Sequence, residues 1–266
     1  VSPGRLEEFM ELSEQMNVTS TVLGEFTDTG KFHIQYQGKT VAYLDMEFLH
    51  GGLPKMKLPA TWERQIRDEA PIEEPKDYGD ALLQVLRRWN VCSKEYVVRQ
   101  YDHEVQGGSI VKPLTGHENN GPSDAGVVRP DLDSHEGVVI SHGICPKFSA
   151  YDTYHMTACA IDEAIRNNIA TGGTLDKMAL LDNFCWSDPV LSDRNPEGPY
   201  KLAQLVRANR ALYYYTTLFG TPCISGKDSM KNDYMFKDIK ISVPQTVLMS
   251  CISVIPDIEK VMTMDF

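Results

Sequence analysis

The sequence predicts an α/β chain in which helices pack on a β-sheet. In its second half, short apolar runs at 125–129, 138–141, 177–181, 222–225 and 242–255 alternate with two long helical patterns, 152–170 and 199–219. Both helical patterns carry start and stop signals. Asp152 and Pro199 open them, and Gly172-Gly173 and Gly220 close them. A composition of 42% hydrophobic and 24% charged residues favours a packed core over disorder.

In chain order, Pro3 precedes Leu6, Phe9, Met10, Leu12 and Met16, which recur at helical spacing. Residues 21–26 and 31–37 read as strands around Asp28-Thr29-Gly30, and the turn Gln37-Gly38-Lys39 leads to a third at 41–44. One helix and two or three strands bury little core, so this reads as the tail end of a larger domain. Residues 49–80 form a linker, broken at His50-Gly51-Gly52-Leu53-Pro54 and charged and proline-punctuated at 69–76. Leu82, Leu83, Val85, Leu86 and Trp89 mark a helix, and residues 96–101 extend it or begin another.

The charge balance narrows function. Twenty-six Lys and Arg against thirty-seven Asp and Glu leave a net −11, which repels phosphate backbones and anionic membranes, so neither a nucleic acid nor a membrane surface is an expected partner. The apolar runs fall short of the ~18–20 residues of a membrane span. Six scattered cysteines with no CxxC exclude a zinc ribbon and give no disulfide framework. The expectation is a reduced, cytoplasmic protein.

Four constellations can carry chemistry. Ser225-Gly226-Lys227-Asp228-Ser229 follows a strand and offers amides, an ammonium and a hydroxyl to a phosphate, or forms a polar turn with a surface lysine. It is not a Walker loop, because position 221 is Thr221 rather than glycine. Glu163 and Asn167 lie four apart on one helical face, where both oxygens reach one hard cation; the alternative is a solvated face with an Asp162–Arg166 pair. Asp182-Asn183 ends an apolar strand, where open α/β sheets bind ligands, or opens an ordinary loop. Nearby Cys185 reads as an inert thiol. In the Asp102-His103-Glu104 run, adjacent residues point to opposite faces, so His103 reads more readily as a hydrogen-bonding residue than as a catalyst. Asp124 is a carboxylate at a strand start, and the remaining histidines show no metal-ligand spacing.

Together, the runs YDHEVQGGSIVKPLTG, GPSDAGVVRP, DEAIRNNIATGG, LLDNFCW, YKLAQLVRANRALYYYTTLFGTPCISGKDSMKND and SCISVIP resemble the synthetase portion of phosphoribosylformylglycinamidine synthase, and EFLHGGLPK looks like the close of its first C-terminal-type lobe. The resemblance implies an aminoimidazole-ribonucleotide-synthase-like N-terminal-type lobe, a mixed β-sheet covered by helices, preceded by the end of a C-terminal-type lobe. The implied division is 1–66 for the end of that first lobe, 67–120 for a helical linker and lead-in, and 121–266 for the second, nucleotide-binding lobe. A fragment of the larger enzyme is therefore expected, and the absence of Met at position 1 agrees.

The implied reaction is the ATP-dependent conversion of formylglycinamide ribonucleotide to its amidine, with ammonia from glutamine. Position by position, Asp182 and Gly226 match nucleotide contacts and Ser229 a substrate contact. Glu163 and Asn167 match magnesium ligands at a second, non-catalytic nucleotide site, with Asp124 the nucleotide neighbour there. Lys227 departs from the short-form pattern, in which an amide binds metal; an ammonium has no lone pair for a cation, so Lys227 is read as facing phosphate. The family's catalytic histidine belongs to another lobe, so no catalytic residue is assigned and the chain alone is expected to be inactive. ATP or ADP and magnesium are the implied cofactors. The remaining synthetase lobes and a glutaminase domain or subunit are the implied partners, with a homodimer of the fragment as a further expectation. Two alternatives stand beside this reading: a lobe that holds a nucleotide for structure alone, and a selenophosphate-synthase-like or aminoimidazole-ribonucleotide-synthase-like enzyme.

Overall fold

The computed structural model describes residues 1–266 except Gln65, residues 103–105 and Phe266. The chain divides into two units, Val1–Lys57 and Leu58–Phe266.

In the first unit, α1 (Leu6–Gln15) is followed by the antiparallel pair β1 (Lys31–Tyr36) and β2 (Lys39–Asp45), then by α2 (Met46–Gly51). Gln37 and Gly38 at the hairpin turn take positive φ of 50° and 73°, the geometry that a two-residue turn between twisted strands demands. The strand expected at 21–26 is absent: Leu23 and Phe26 are fully exposed, and this segment joins no ladder. Its β-branched pattern lacked a neighbouring strand, and strand propensity acts only through such a partner. Of this unit's residues only Ser13 is buried, as so short a segment with so little core implies.

The second unit begins with α3 (Tyr78–Leu86), capped by Asp77 through the amides of Gly79 and Asp80, and the single turn α4 (Glu95–Val98). A six-stranded sheet follows, built from β3 (Ser109–Val111), β6 (Ala125–Val128), β7 (Gly137–Ile144), β8 (Ala179–Cys185), β9 (Cys223–Ser229) and β12 (Thr246–Ile255). The small pairs β4 (Leu114–Thr115) with β5 (Gly121–Pro122), and β10 (Asp233–Phe236) with β11 (Ile239–Ser242), lie outside it. The sheet order is β3-β6-β7-β12-β8-β9; only β8 and β9 run parallel, so the sheet is mixed. Two long helices, α5 (Thr153–Thr171) and α6 (Gly198–Phe219), complete the unit, with α5 against β7 and β12 and α6 against α5.

Each helix obeys its punctuation. Asp152 accepts the Tyr154 amide at 2.9 Å, and Gly172 closes α5 with φ 113°. Gly220 closes α6 with φ 69°, a conformation that costs an L side chain about 1–2 kcal/mol. On β7, Gly137, Val139, Ser141 and Gly143 are buried, while Val138, Ile140, His142 and Ile144 alternate to the other face. On β12, Val247, Met249, Cys251, Ser253 and Ile255 do the same. Val247, Met249 and Cys251 meet Met156, Ile161 and Ile165 of α5, with Leu180, Phe184 and Trp186, in one core cluster, while Val139 and Ile255 join Val111, Ala125, Val127 and Ile258 in a second. Each such side chain contributes about 1.5–3 kcal/mol by leaving water.

Three boundaries differ from the sequence pattern. Residues 175–177 form a 3-10 turn, so β8 starts at Ala179 and runs on to Cys185; Asp182-Asn183 is therefore strand interior. Gly226 to Ser229 lies on edge strand β9 rather than in a loop, because pairing with β8 continues to Ser229. The last apolar region splits into β11 and β12 around Pro244, which has no N–H for a ladder.

Candidate nucleotide site

Parallel pairing sets Asp182 beside Gly226, Asn183 beside Lys227 and Cys185 beside Ser229. A Cβ at position 226 would stand 3.0 and 3.1 Å from the two carboxylate oxygens of Asp182. The glycine thus leaves room directly beside a carboxylate. Burial raises the Asp182 pKa above the ordinary range, and Asp228 adds repulsion; a backbone hydrogen bond and the Cys223 thiol pull it partly back. The Cys223 thiol is itself pushed up to about 11, by burial first and by Asp182 second. Ser229 Oγ donates to Asn232 Oδ1 at 2.9 Å, and Asn232 Nδ2 donates to Ser229 O at 2.8 Å and to Cys185 Sγ at 3.4 Å. Lys227 is exposed and makes no ion pair among the described residues.

A second group gathers where β7 ends against α5. Glu163 Oε2 accepts the Ile144 amide at 2.7 Å, and Asn167 Nδ2 donates to His142 O at 3.0 Å. Both side chains therefore turn toward the sheet, whereas Asp162 and Arg166 pair with each other at 2.7 Å, both well exposed. The Asp162–Arg166 pair that the sequence offered as the alternative is present. With its amide nitrogen on a carbonyl, Asn167 keeps Oδ1, the atom a cation needs; Glu163 keeps Oε1. Two hard oxygens four residues apart fit magnesium, which takes few protein ligands and retains phosphate and water oxygens. Burial, then Glu163, pushes the adjacent Cys145 thiol up to about 11. Ala125 pairs with Ser141, so Asp124, one residue before β6, falls at the level of His142.

The two groups do not merge. Gly143, Met249, Asp182 and Gly226 share one row across β7, β12, β8 and β9. At ~4.8 Å per strand, the second group's strand β7 lies about 10 Å from the first group's strand β8. Met249, fully buried, stands between them. His103 and Glu104 lie outside the described residues. The remaining histidines include one surprise: His135 Nδ1 sits 3.9 Å from Asp257 and 3.8 Å from Glu259 on the surface, where Lys260 also pairs with Asp257.

No protein-family model matches this chain. Individual proteins do. It is 31% identical over 267 residues to the phosphoribosylformylglycinamidine synthase subunit PurL of Thermoplasma volcanium, covering 100% of this chain and 33% of that protein. To the same subunit of Ignicoccus hospitalis it is 32% identical over 253 residues, 93% of this chain and 33% of that one. The chain is homologous to a segment of PurL. It spans about a third of the length of these curated relatives. Its fold matches Thermotoga maritima PurL complexed with ATP, with a TM-score of 0.69 and 19% identity over 98% of this chain and 37% of that one. PurLQS from the same organism gives 0.69 and 20%, over 98% of this chain and 38% of that one. The aminoimidazole-ribonucleotide-synthase-like lobe expected from the motifs is thus the observed PurL fold.

Within this PurL-like lobe, Cys223 and Asn232 went unnoticed in the sequence although they touch Asp182 and Ser229. Once the strand is placed, spacing points to Asn232, three residues after Ser229 in the turn that leaves β9. Cys223 carried no comparable signal.

Proposed function

We propose that this segment forms one wall of a PurL synthetase, which converts formylglycinamide ribonucleotide to formylglycinamidine ribonucleotide with ATP and with ammonia from glutamine. In that reaction the substrate amide oxygen takes the γ-phosphoryl group and ADP leaves. Ammonia then attacks the activated carbon and phosphate departs with the oxygen. The observation that carries the reading is the Asp182–Gly226 pair, where a half-buried carboxylate faces a position without a side chain.

In this proposal Asp182 and the Gly226 backbone hold the nucleotide, Lys227 faces its phosphates and Ser229 orients the substrate. Charge on a transferring phosphoryl group is best met by groups fixed before reaction, and the Ser229–Asn232 hydrogen bonds provide such fixing. Glu163, Asn167 and Asp124 hold a second nucleotide. Magnesium, when bound by Glu163 and Asn167, supplies charge neutralisation for that nucleotide's phosphates. The segment contributes contacts but no acid, base or nucleophile, and by itself it does not turn over. Its partners are the remaining synthetase lobes and a glutaminase domain or subunit, in the cytoplasm. The T. maritima PurLQS structure supports the partners; among the described residues no helix is long and apolar enough to cross a membrane.

Calorimetric titration with ADP in the presence of magnesium tests the reading on this chain. Binding weakened at least about tenfold by Glu163→Ala, with the thermal melt unchanged, is expected, a difference of about 1.4 kcal/mol. Binding that both Glu163→Ala and Asp182→Asn leave unchanged refutes the site assignment.

A further inference from the structure

We infer that a cavity beside the start of α5 binds a phosphate-class dianion through Arg64 and Arg67. The cavity, about 550 Å³, is bordered by Trp62, Arg64, Arg67, Tyr151, Asp152 and Arg207. In a chain of net −11 this is a locally cationic place, three guanidinium groups against one carboxylate.

That carboxylate is already engaged. Asp152 accepts Arg207 Nε at 2.9 Å and caps α5 through the Tyr154 amide. Burial opposes the charged form, but Arg207 and the amide outweigh it and hold the Asp152 pKa below the ordinary range. Arg207 and Asp152 therefore neutralise each other, leaving Arg64 and Arg67 in excess. Neither makes an ion pair with a carboxylate among the described residues. Glu63 and Glu197 line the neighbouring cavity that Arg67 also borders, and Glu197 faces Lys201 at 3.7 Å.

Arg67 and the chain leading to Arg64 are held in advance. Arg207 lies over the Trp62 ring at 4.4 Å, Trp62 stacks on Tyr200 at 5.4 Å, and Thr61 N donates to Pro199 O at 3.0 Å, so the segment carrying Arg64 and Arg67 is fastened to α6. Arg67 lies over Tyr151 at 5.3 Å. Stacking uses the face of a guanidinium and leaves its in-plane N–H donors available, the arrangement that suits bidentate binding of an oxyanion. On Arg207 those donors are taken by Asp152; on Arg67 no described residue takes them. Two like charges bordering one cavity repel until an anion lies between them. A carboxylate matches one fork, whereas a tetrahedral phosphate offers oxygens to two. No residue of this cavity belongs to either nucleotide group, so the inference stands apart from the proposed function.

The test is calorimetry on the whole chain at constant ionic strength, with inorganic phosphate and ribose 5-phosphate as separate probes. Saturable binding is expected, weakened about tenfold by Arg67→Gln or Arg64→Gln, with Arg67→Lys between wild type and Arg67→Gln because it keeps the charge and loses the fork. Tighter binding of ribose 5-phosphate identifies a phosphate ester as the source, and tighter inorganic phosphate a free ion. Binding of both probes unchanged in the Arg64→Gln/Arg67→Gln double variant overturns the inference, as does no binding of either to the folded wild type at about 10 mM. Thermal melts confirm that each variant is folded, and ADP binding retained in the double variant separates this cavity from the nucleotide groups.

Discussion

Gly143→Ala tests whether close approach of α5 to β7 builds the Glu163–Asn167 group. A Cβ at position 143 falls 2.0 Å from the carbonyl oxygen of Ala160 and 2.7 Å from the amide nitrogen of Ala164, both helix backbone. Ordinary contact begins at 3.4 Å, so α5 must retreat by roughly 1.4 Å at this point. That retreat breaks the buried Ser141 Oγ to Ala164 O hydrogen bond, now 2.6 Å. It also pulls Glu163 from the Ile144 amide and Asn167 from the His142 carbonyl, now 2.7 and 3.0 Å. Overpacking costs about 1–3 kcal/mol and an orphaned buried polar group about 1–3 more, for a total near 2–6 kcal/mol. Urea unfolding reads the loss, and calorimetry with ADP and magnesium reads the site. A loss below about 1 kcal/mol with ADP binding intact would show that the strand–helix spacing neither limits the fold nor places these ligands.

Two further substitutions probe the interior and the carboxylate on β8. Asn168 is fully buried; its Nδ2 donates to Val139 O at 3.3 Å and Cys251 O at 3.5 Å, and its Oδ1 accepts from Ser253. Asn168→Ala should lower unfolding free energy by about 2–4 kcal/mol, measured by urea midpoint at unchanged slope. For Asp182→Asn, the Cys223 thiol is the reporter. Removing the negative charge lowers the thiol pKa from its raised value of about 11, so the thiolate fraction at pH 8 rises and iodoacetamide alkylation of Cys223 speeds up; an unchanged rate rejects the contact.

Where a segment is buried on one side, its sequence described it well. Asp152, Gly172 and Gly220 stand at their helix ends because caps act through local backbone geometry. The short apolar run 138–141 became part of β7, whose packed face enforces a burial period of two. Segments whose form depends on a neighbour were less legible. The run 21–26 had strand residues and no ladder to join. Trp62, Arg64 and Arg67 looked like linker, yet the ring stack on Tyr200 and the guanidinium of Arg207, more than a hundred residues away in sequence, fix their place.

The Gly226 to Ser229 run shows how the chemistry and the fold can share residues. On an exposed edge strand neither face needs an apolar side chain, so the hydrophobic period vanishes and the sequence reads as a loop. That freedom is what lets glycine, lysine, aspartate and serine occupy four successive ladder positions. Pairing with β8 then does for this polar run what a loop cannot: it fixes the backbone beside Asp182 at strand spacing, with the carboxylate against the one residue that lacks a side chain. On the proposed reading, a nucleotide group entering there would meet a preformed edge, with backbone and carboxylate already in register. The same pairing explains why Asp182 tolerates the middle of a strand: β9 is the outermost strand, and the Gly226 gap keeps the half-buried carboxylate within reach of solvent or ligand.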